Sequence, residues 1–517
     1  MTRHRQDSAQ DEAVRFLADP ATHGARDPVE TVATHISLIV LTGERAFKMK
    51  RAVKLPYADF STPELRLAAC RKEVELNSRT APGLYLAARR ITREADGRIA
   101  FDGEGELIDA VVEMKRFDQS CLLDKMAAAG TITPDLARRI AHAVARFHAD
   151  APAVHAGAGA ANLEAVLDIN RAGFAESGFF DARETEALDS ALRAALARHA
   201  ALLDRREAAG KVRRCHGDLH LRNICLLDGE PRLFDCIEFN DRLATVDVLY
   251  DLAFLLMDLW HRGLSHLAGL LANRYLDETD NDDGFALLPF LMAVRACVRA
   301  HVGATQIAAD GDPAGRLAGE ARAYFDLATA LLRPAPPRMI AIGGLSGSGK
   351  TTVADALAPH LGAPPGARVV ESDRVRKALY GVPAETRLPQ DAYRPEVSRR
   401  VYREMAARAE RLLAGGGCVV ADAVFDRRAD REGIEAVAAA AGTPFAGVWL
   451  EADASLLRQR VGARTGGPSD ATLDVLERQL ERGPGDIAWH RLDASLGTGR
   501  IVAEILALPM KGSGSPG

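Results

Sequence analysis

The sequence predicts two domains in tandem: an α+β unit with a small strand-bearing lobe and a larger helical lobe, then an α/β unit built on a parallel sheet. Three observations carry this. The chain has 517 residues, more than one hydrophobic core normally fills. Strand signals before residue 60 give way to helical periodicity from about residue 131 to 210, whereas after residue 338 strand and helix patterns alternate. Between them lies Arg333-Pro334-Ala335-Pro336-Pro337-Arg338, whose three prolines in four residues cannot continue a helix and favour an extended spacer. The expected division is a helical extension over 1–29, a first domain over 30–333, a linker over 334–338, a second domain over 339–510 and a Gly/Ser-rich flexible tail over 511–517.

Composition narrows the functional classes. Hydrophobic residues make up 47% and charged residues 26%, which supports packed cores. A net charge of -5 with interspersed signs, and 5% aromatics, argue against a nucleic-acid partner. Seven scattered cysteines without a CxxC pair suggest neither a disulfide framework nor zinc, and fit a reducing cytoplasm. No apolar run of signal-peptide length opens the chain, and the most apolar stretch, 247–272, is interrupted by Asp247, Asp251, Asp258, His261 and Arg262, so no membrane span is expected. Oligomeric state is not legible.

In the first domain, Ile36–Thr42 and Arg45–Lys50 read as strands joined by a tight Gly43-Glu44 turn. A helix follows: Thr62 is a suitable N-cap, Pro63 suits the first helical position, and Glu64–Asn77 contains no breaker. Further on, His216-Gly217-Asp218-Leu219-His220-Leu221-Arg222-Asn223 places a carboxylate and an amide five residues apart. A carboxylate there can orient an attacking hydroxyl and take its proton, and a neutral amide oxygen can bind magnesium. Ile224–Leu227 and Arg232–Phe234 form a hairpin about Asp228-Gly229, so Asn223 and Asp235 are expected side by side on one cation. Lys48 and Lys50 share a face of their strand by alternation; Lys48 is the preferred phosphate-binding lysine, with Glu73 in the following helix as its ion-pair partner. Such pairs on exposed elements are more often solvated and worth little. His216 is expected to brace the loop, His220 to be exposed, and Cys215, Cys225 and Cys236 to be small core residues.

The HGDLHLRN segment, the hairpin and the later FDCIEFN resemble the aminoglycoside phosphotransferase-like branch of the protein-kinase fold. That resemblance implies a bilobal kinase-like domain in which Asp218 is the catalytic base and Asn223 and Asp235 bind magnesium. No GxGxxG precedes Lys48, and Gly43 is the only glycine in its hairpin, which departs from the protein-kinase pattern. Asp247 and Asp251 fall where this family carries aspartates; capping or loop anchoring is their expected role.

In the second domain, Met339–Gly343, Arg368–Glu371, Cys418–Ala421 and Phe445–Leu450 are the strand candidates. The first runs directly into Gly344-Leu345-Ser346-Gly347-Ser348-Gly349-Lys350-Thr351, a complete GxxxxGK[ST] phosphate loop followed by Thr352 and a helix. Its glycines let backbone amides face phosphates, the helix N-terminus adds positive potential, Lys350 reaches the terminal phosphates, and the Thr351 hydroxyl can ligate magnesium. Asp373 and Asp422 stand at strand carboxyl ends, where open parallel sheets bind ligands; Asp373 is the candidate base and Asp422 the candidate metal carboxylate. Helix capping and a turn role are their bland readings. Arg458, Arg460 and Arg464 precede Gly466-Gly467-Pro468, as in a closing lid, and Arg460 with Arg464, at i and i+4, is the expected face-sharing pair.

This half resembles small P-loop kinases such as gluconate kinase, adenylylsulfate kinase and chloramphenicol phosphotransferase, and the zeta-type toxins. The whole chain is similar to bacterial fusions of an aminoglycoside phosphotransferase-like domain with an ATP-binding domain. The resemblance implies an ATP- and Mg²⁺-dependent tandem phosphotransferase acting on hydroxyl groups of small molecules, the P-loop domain being the firmer kinase. Two other readings fit the same residues: a first domain that serves the second as a regulatory pseudokinase, and a nucleotide-gated switch that phosphorylates nothing. The acidic run Asp277, Asp280, Asp282, Asp283 would suit a polycationic antibiotic, but a solvated loop is the expected explanation.

Overall fold

Strand alternation in the early hairpin sets the architecture of the small lobe in the computed structural model, which describes residues 2–510 except 25–27, 35, 56–57, 156, 158, 313–314 and 465. The expected tail, 511–517, lies outside the described residues. The chain divides into two compact units, one of residues 1–159 and 206–255, the other of 160–205 and 256–517. This grouping runs across the 334–338 proline stretch, because helices before it share the second unit with the parallel sheet.

In the first unit a six-stranded antiparallel sheet has the order 30–33, 37–42, 45–50, 106–115, 85–93, 99–101. Along Arg45–Lys50, Phe47 and Met49 join one apolar cluster with Ala13 and Leu17 of the N-terminal helix Thr2–Ala18. Ala46 joins the opposite cluster, with Leu67 and Cys70 of helix Pro63–Ser78. Period-two alternation therefore turns Lys48 and Lys50 toward that helix. Thr62 caps it, accepting from the Leu65 N–H at 3.3 Å, and Pro63 opens it. Behind the sheet's unit-1 partners, the hairpin Ile224–Leu227/Glu230–Leu233 turns through Asp228 (φ 52°) and Gly229 (φ 79°), the paired positive φ values of a type I′ turn.

The second unit contains the α/β domain. Its five strands are all parallel, in the order 368–371, 419–422, 339–344, 445–451, 490–493. The core beneath is apolar throughout, from Ile340, Ile342, Val420 and Val448 on the strands to Val353 and Leu357 on the helix after the phosphate loop. The sequence reading misses the fifth strand, His490–Asp493: it lies at the sheet edge with alternate residues exposed, so it carries no apolar run.

Among the described residues one helical stretch, 282–308, is long and apolar enough to cross a membrane, and 67% of its most apolar window is buried inside the protein. Within it His301 packs edge-on against Phe174, with ring centroids 5.9 Å apart. Burial pushes its imidazole down to about 4. Because the folded pKa is depressed, the unfolded chain takes up a proton below about pH 6.5 that the folded chain refuses until about pH 4. The associated stability is complete above the upper value and lost as pH falls, by about 2 kcal/mol at pH 5. Urea unfolding at pH 7 and pH 5 should show this drop in the native protein and a smaller one in His301→Leu.

Candidate active sites

The first site is assembled by three local structures of the first unit. Helix Pro63–Ser78 supplies Glu73, which is fully buried, accepts from Lys48 Nζ at 2.8 Å and forms an ion pair with Lys50 Nζ at 2.6 Å, one lysine per carboxylate oxygen. Lys48 also pairs with Asp235, and Lys50 with Glu238 at 2.5 Å. Two lysines and three carboxylates thus form one chain, Asp235–Lys48–Glu73–Lys50–Glu238. Burial works against the charge on Lys48, but Asp235 and Glu73 outweigh it and hold the ammonium well above its ordinary pKa. Burial likewise opposes ionisation of Asp235, yet Lys48 and Lys50 keep it below the usual carboxylate range. At Glu238 burial wins and raises the pKa.

The loop carrying Asp218 is fixed from behind. Asp251 accepts the N–H groups of His216 (3.2 Å) and Gly217 (2.8 Å) and lies 3.1 Å from His148 Nε2. His216 Nε2 donates to the Phe234 carbonyl at 2.9 Å, tying the loop to the hairpin. Asn223 donates from Nδ2 to Asp218 Oδ2 at 2.9 Å, and its own carbonyl accepts the Phe234 N–H at 3.0 Å, one residue from Asp235. Asp235 stands at φ 65°, its N–H bonded to the Tyr85 hydroxyl at 3.0 Å, so its backbone departs sharply from the strand just ended. His220 is not exposed: it is buried, with Nε2 3.3 Å from Asp218 Oδ2 and its ring edge-on to Phe254. The three nearby cysteines, Cys215, Cys225 and Cys236, are buried and form no disulfide.

Glu73→Gln should be costly, since two buried ammonium groups would lose their shared carboxylate. A loss of about 3–5 kcal/mol is expected, read as weakened hydrogen-exchange protection of strand Arg45–Lys50. A change below about 1 kcal/mol would show that Asp235 and Glu238 suffice.

The second site is placed by sheet register. Glu371 pairs with Asp422, and Asp422 with Ile342, so two carboxylates reach one level at the strand carboxyl ends, two residues short of the loop's first glycine. Thr351 Oγ1 donates to Asp422 Oδ2 at 2.7 Å and lies 3.5 Å from Glu371 Oε1. Burial, reinforced by Asp422, pushes Glu371 up to about 8; burial raises Asp422 to about 6. Within the loop, Gly347 (φ 87°) sits where a Cβ would come within 2.8 Å of the Leu457 carbonyl, so only glycine fits. Ser346 N–H is held by Gln479 Oε1 at 2.9 Å, and the buried Ser348 Oγ has no protein partner. Lys350 Nζ donates to the Leu345 carbonyl at 3.2 Å, its pKa lowered by burial.

Lys350, Thr351, Thr352, Asp373, Asp422 and Arg464 line one cavity of about 630 Å³. Asp373 lies in the first turn of helix Ser372–Leu379, whose N-cap residue is Glu371. The expected Arg460–Arg464 pair is not formed: helix Ala454–Gly462 ends before Arg464, and the chain leaves it at Gly462-Ala463. Arg460 instead reaches the backbone, donating to the Ala494 carbonyl at 3.0 Å and approaching that of Gly347 at 3.5 Å. The glycine-rich loop after it is held by Asp470, which accepts from Lys377 Nζ (2.5 Å), the Tyr393 hydroxyl (2.5 Å) and the Leu388 N–H (2.9 Å). Two members of the acidic run are not solvated, since Asp277 and Asp282 are each 2.8 Å from Arg368.

Sequence reasoning missed Glu238, Tyr85, Glu371 and Gln479. Glu371 carried a usable signal, being the last residue of a strand that leads to Asp373. The other three offered none, because they meet their partners only through tertiary packing.

Comparison with known proteins bears on both halves. The model of the phosphotransferase enzyme family matches residues 105–288, and that of an AAA domain matches 339–483. An uncharacterized protein of Mycobacterium tuberculosis and another of Mycobacterium bovis are each 30% identical over 480 residues, covering 90% of this chain and 92% of the relative. The chain belongs to their family. This chain joins a phosphotransferase-family domain to a P-loop kinase domain, and it is a kinase, a phosphotransferase with an alcohol group as acceptor. Among solved structures, a choline/ethanolamine kinase family protein from Mesorhizobium loti is 17% identical and covers 63% of this chain and 95% of its own (TM-score 0.38). A gluconokinase from Sinorhizobium meliloti is 26% identical, covering 34% and 92% (TM-score 0.23).

Proposed function

We propose that both domains bind ATP with Mg²⁺ and that at least the P-loop domain transfers the terminal phosphate, in line and without a covalent enzyme intermediate, to a hydroxyl of a small metabolite. The observation that carries this reading is the convergence of Lys350, Thr351, Asp373 and Asp422 on one cavity. The residues suit the ligand: a hydroxyl and two carboxylates at one level form a hard oxygen donor set, and a buried Ser348 hydroxyl lacks a partner within the loop. ATP bound there would supply the phosphoryl group, and Mg²⁺ would shield its charge. Backbone amides of the phosphate loop, those of Gly347 and Gly349 among them, would orient the phosphates, Lys350 would neutralise the terminal one, and Thr351 with Asp422 would hold the metal. Asp373 would align the acceptor hydroxyl and take its proton, while Arg464, lining the same cavity, would offset the charge that develops during transfer.

In the first domain Asp218 would act as base and Asn223 and Asp235 as metal ligands, with Lys48, oriented by Glu73, on the phosphates. Its expected acceptor is likewise small and hydroxylated.

Incubating the protein with ATP, Mg²⁺ and a metabolite extract, and searching by mass spectrometry for products heavier by one phosphoryl group, tests the proposal. ATP hydrolysis that no metabolite accelerates, with no phosphorylated product, would favour a nucleotide-gated switch instead.

A further inference from the structure

The P-loop site is bordered by residues from outside its own domain. Helix Ser265–Glu278 lies within the stretch matched by the phosphotransferase family, yet belongs to the same compact unit as the parallel sheet. Two arms run from it to the phosphate loop. In one, Arg274 Nη2 donates to both carboxylate oxygens of Asp355 (2.6 and 2.8 Å). Asp355 is on helix Lys350–Leu357, one turn beyond Thr351. In the other, buried Asp277 lies 2.8 Å from both Arg274 Nη1 and Arg368 Nη1 and 3.4 Å from Arg374 Nε. Arg374 Nε in turn donates to Glu371 Oε2 at 2.9 Å, and Glu371 Oε1 faces Thr351 Oγ1 at 3.5 Å. Asn273 closes the contact, accepting the Val369 N–H at 2.7 Å and donating to the Ala367 carbonyl at 3.1 Å, on the strand that ends in Glu371.

We propose that Asp277 and Arg374 are positioning residues for the P-loop reaction: helix Ser265–Glu278, through Arg374 and Glu371, sets the Thr351–Asp422 pair that receives the magnesium of ATP. Glu371 is the pivot. Arg374 occupies one of its oxygens and so directs the other to Thr351. Asp277 fixes Arg374, and the Arg274–Asp355 pair fixes the helix bearing Thr351. The rigid planar guanidinium of Arg274 joins the two arms, reaching Asp355 through Nη2 and Asp277 through Nη1. A contact that merely joined two domains would not need to terminate, twice, beside the metal-binding threonine. The P-loop kinase therefore works at full metal affinity only with the preceding helical region docked. The inference rests on the proposed function, since it assumes that Thr351 and Asp422 hold magnesium.

The test uses the full chain, titrated calorimetrically with the nonhydrolysable analogue AMP-PNP with and without Mg²⁺. Lys350→Ala identifies the isotherm of the P-loop site. Asp277→Asn should raise the Kd of that isotherm about fivefold or more with Mg²⁺, change it less than twofold without Mg²⁺, and leave the other isotherm unaltered. Arg374→Lys, which keeps the charge and removes the Nε donor, should show the same split, so the test does not depend on one variant folding. Adding Glu371→Gln to Asp277→Asn should cost no more than the larger single effect, as expected of members of one relay. An unchanged Kd in folded variants, equal losses with and without Mg²⁺, or additive effects would overturn the relay while leaving the proposed function standing. Absence in the wild type of any Mg²⁺-dependent isotherm removed by Lys350→Ala would overturn both.

Discussion

Lys350→Ala is expected to lower phosphotransfer at the P-loop site by about three orders of magnitude, because one positioned donor of this kind is worth roughly 10²–10³ in rate and this one also carries full charge. Lys350 is already inside the loop, bonded to the Leu345 carbonyl, so it need only exchange a backbone oxygen for a phosphate oxygen. Alanine also leaves Asp422 and Asp373 without the nearby cation that offsets them. Asp373→Ala should be comparably severe but with nucleotide affinity preserved, since its place is on the acceptor side of the chemistry. Steady-state rates and AMP-PNP affinities of the two variants separate these roles. Both should spare the first domain's reaction; an equal loss in both would show that the two sites do not work independently.

Asp218→Ala should reduce transfer by the first domain roughly 10²–10⁴-fold, the usual worth of a positioned general base. The loop around it is already ordered by Asp251, His216 and Asn223, so the variant should keep its fold and its nucleotide affinity. Isotope-labelled ATP and separation of products from the two domains would measure the effect. If total phosphotransfer is unaltered, the first domain is a pseudokinase serving the second, and the chain Asp235–Lys48–Glu73 is retained for binding alone.

Local signals made much of this protein readable in advance. The phosphate loop is contiguous, so its eight residues bring their own backbone geometry wherever a strand precedes and a helix follows. Thr62-Pro63 announces a helix start by cap chemistry, and Asp228-Gly229 announces a turn by tolerance of positive φ. The pairing of Lys48 with Glu73 could be anticipated because a period of two along a strand and one face of a helix leave few choices. The same reasoning failed at Arg460 and Arg464, where a spacing of four residues means a shared face only if the helix continues, and it ends at Gly462.

The sequence alone determined which chemistry the chain carries: two kinds of phosphate-handling motif, each with its carboxylates and lysine, on one kinase-like and one parallel-sheet scaffold. Tertiary structure alone decided what those groups face. Lys50, Glu238, Glu371 and Asp277 look like ordinary surface charges in a linear reading, yet the first three are buried in ion pairs and the Asp277 carboxylate is enclosed by arginines. The physical reason is that a charge is tolerated inside a protein only where an opposite charge meets it, and those partners lie from 3 to nearly 190 residues away in the chain.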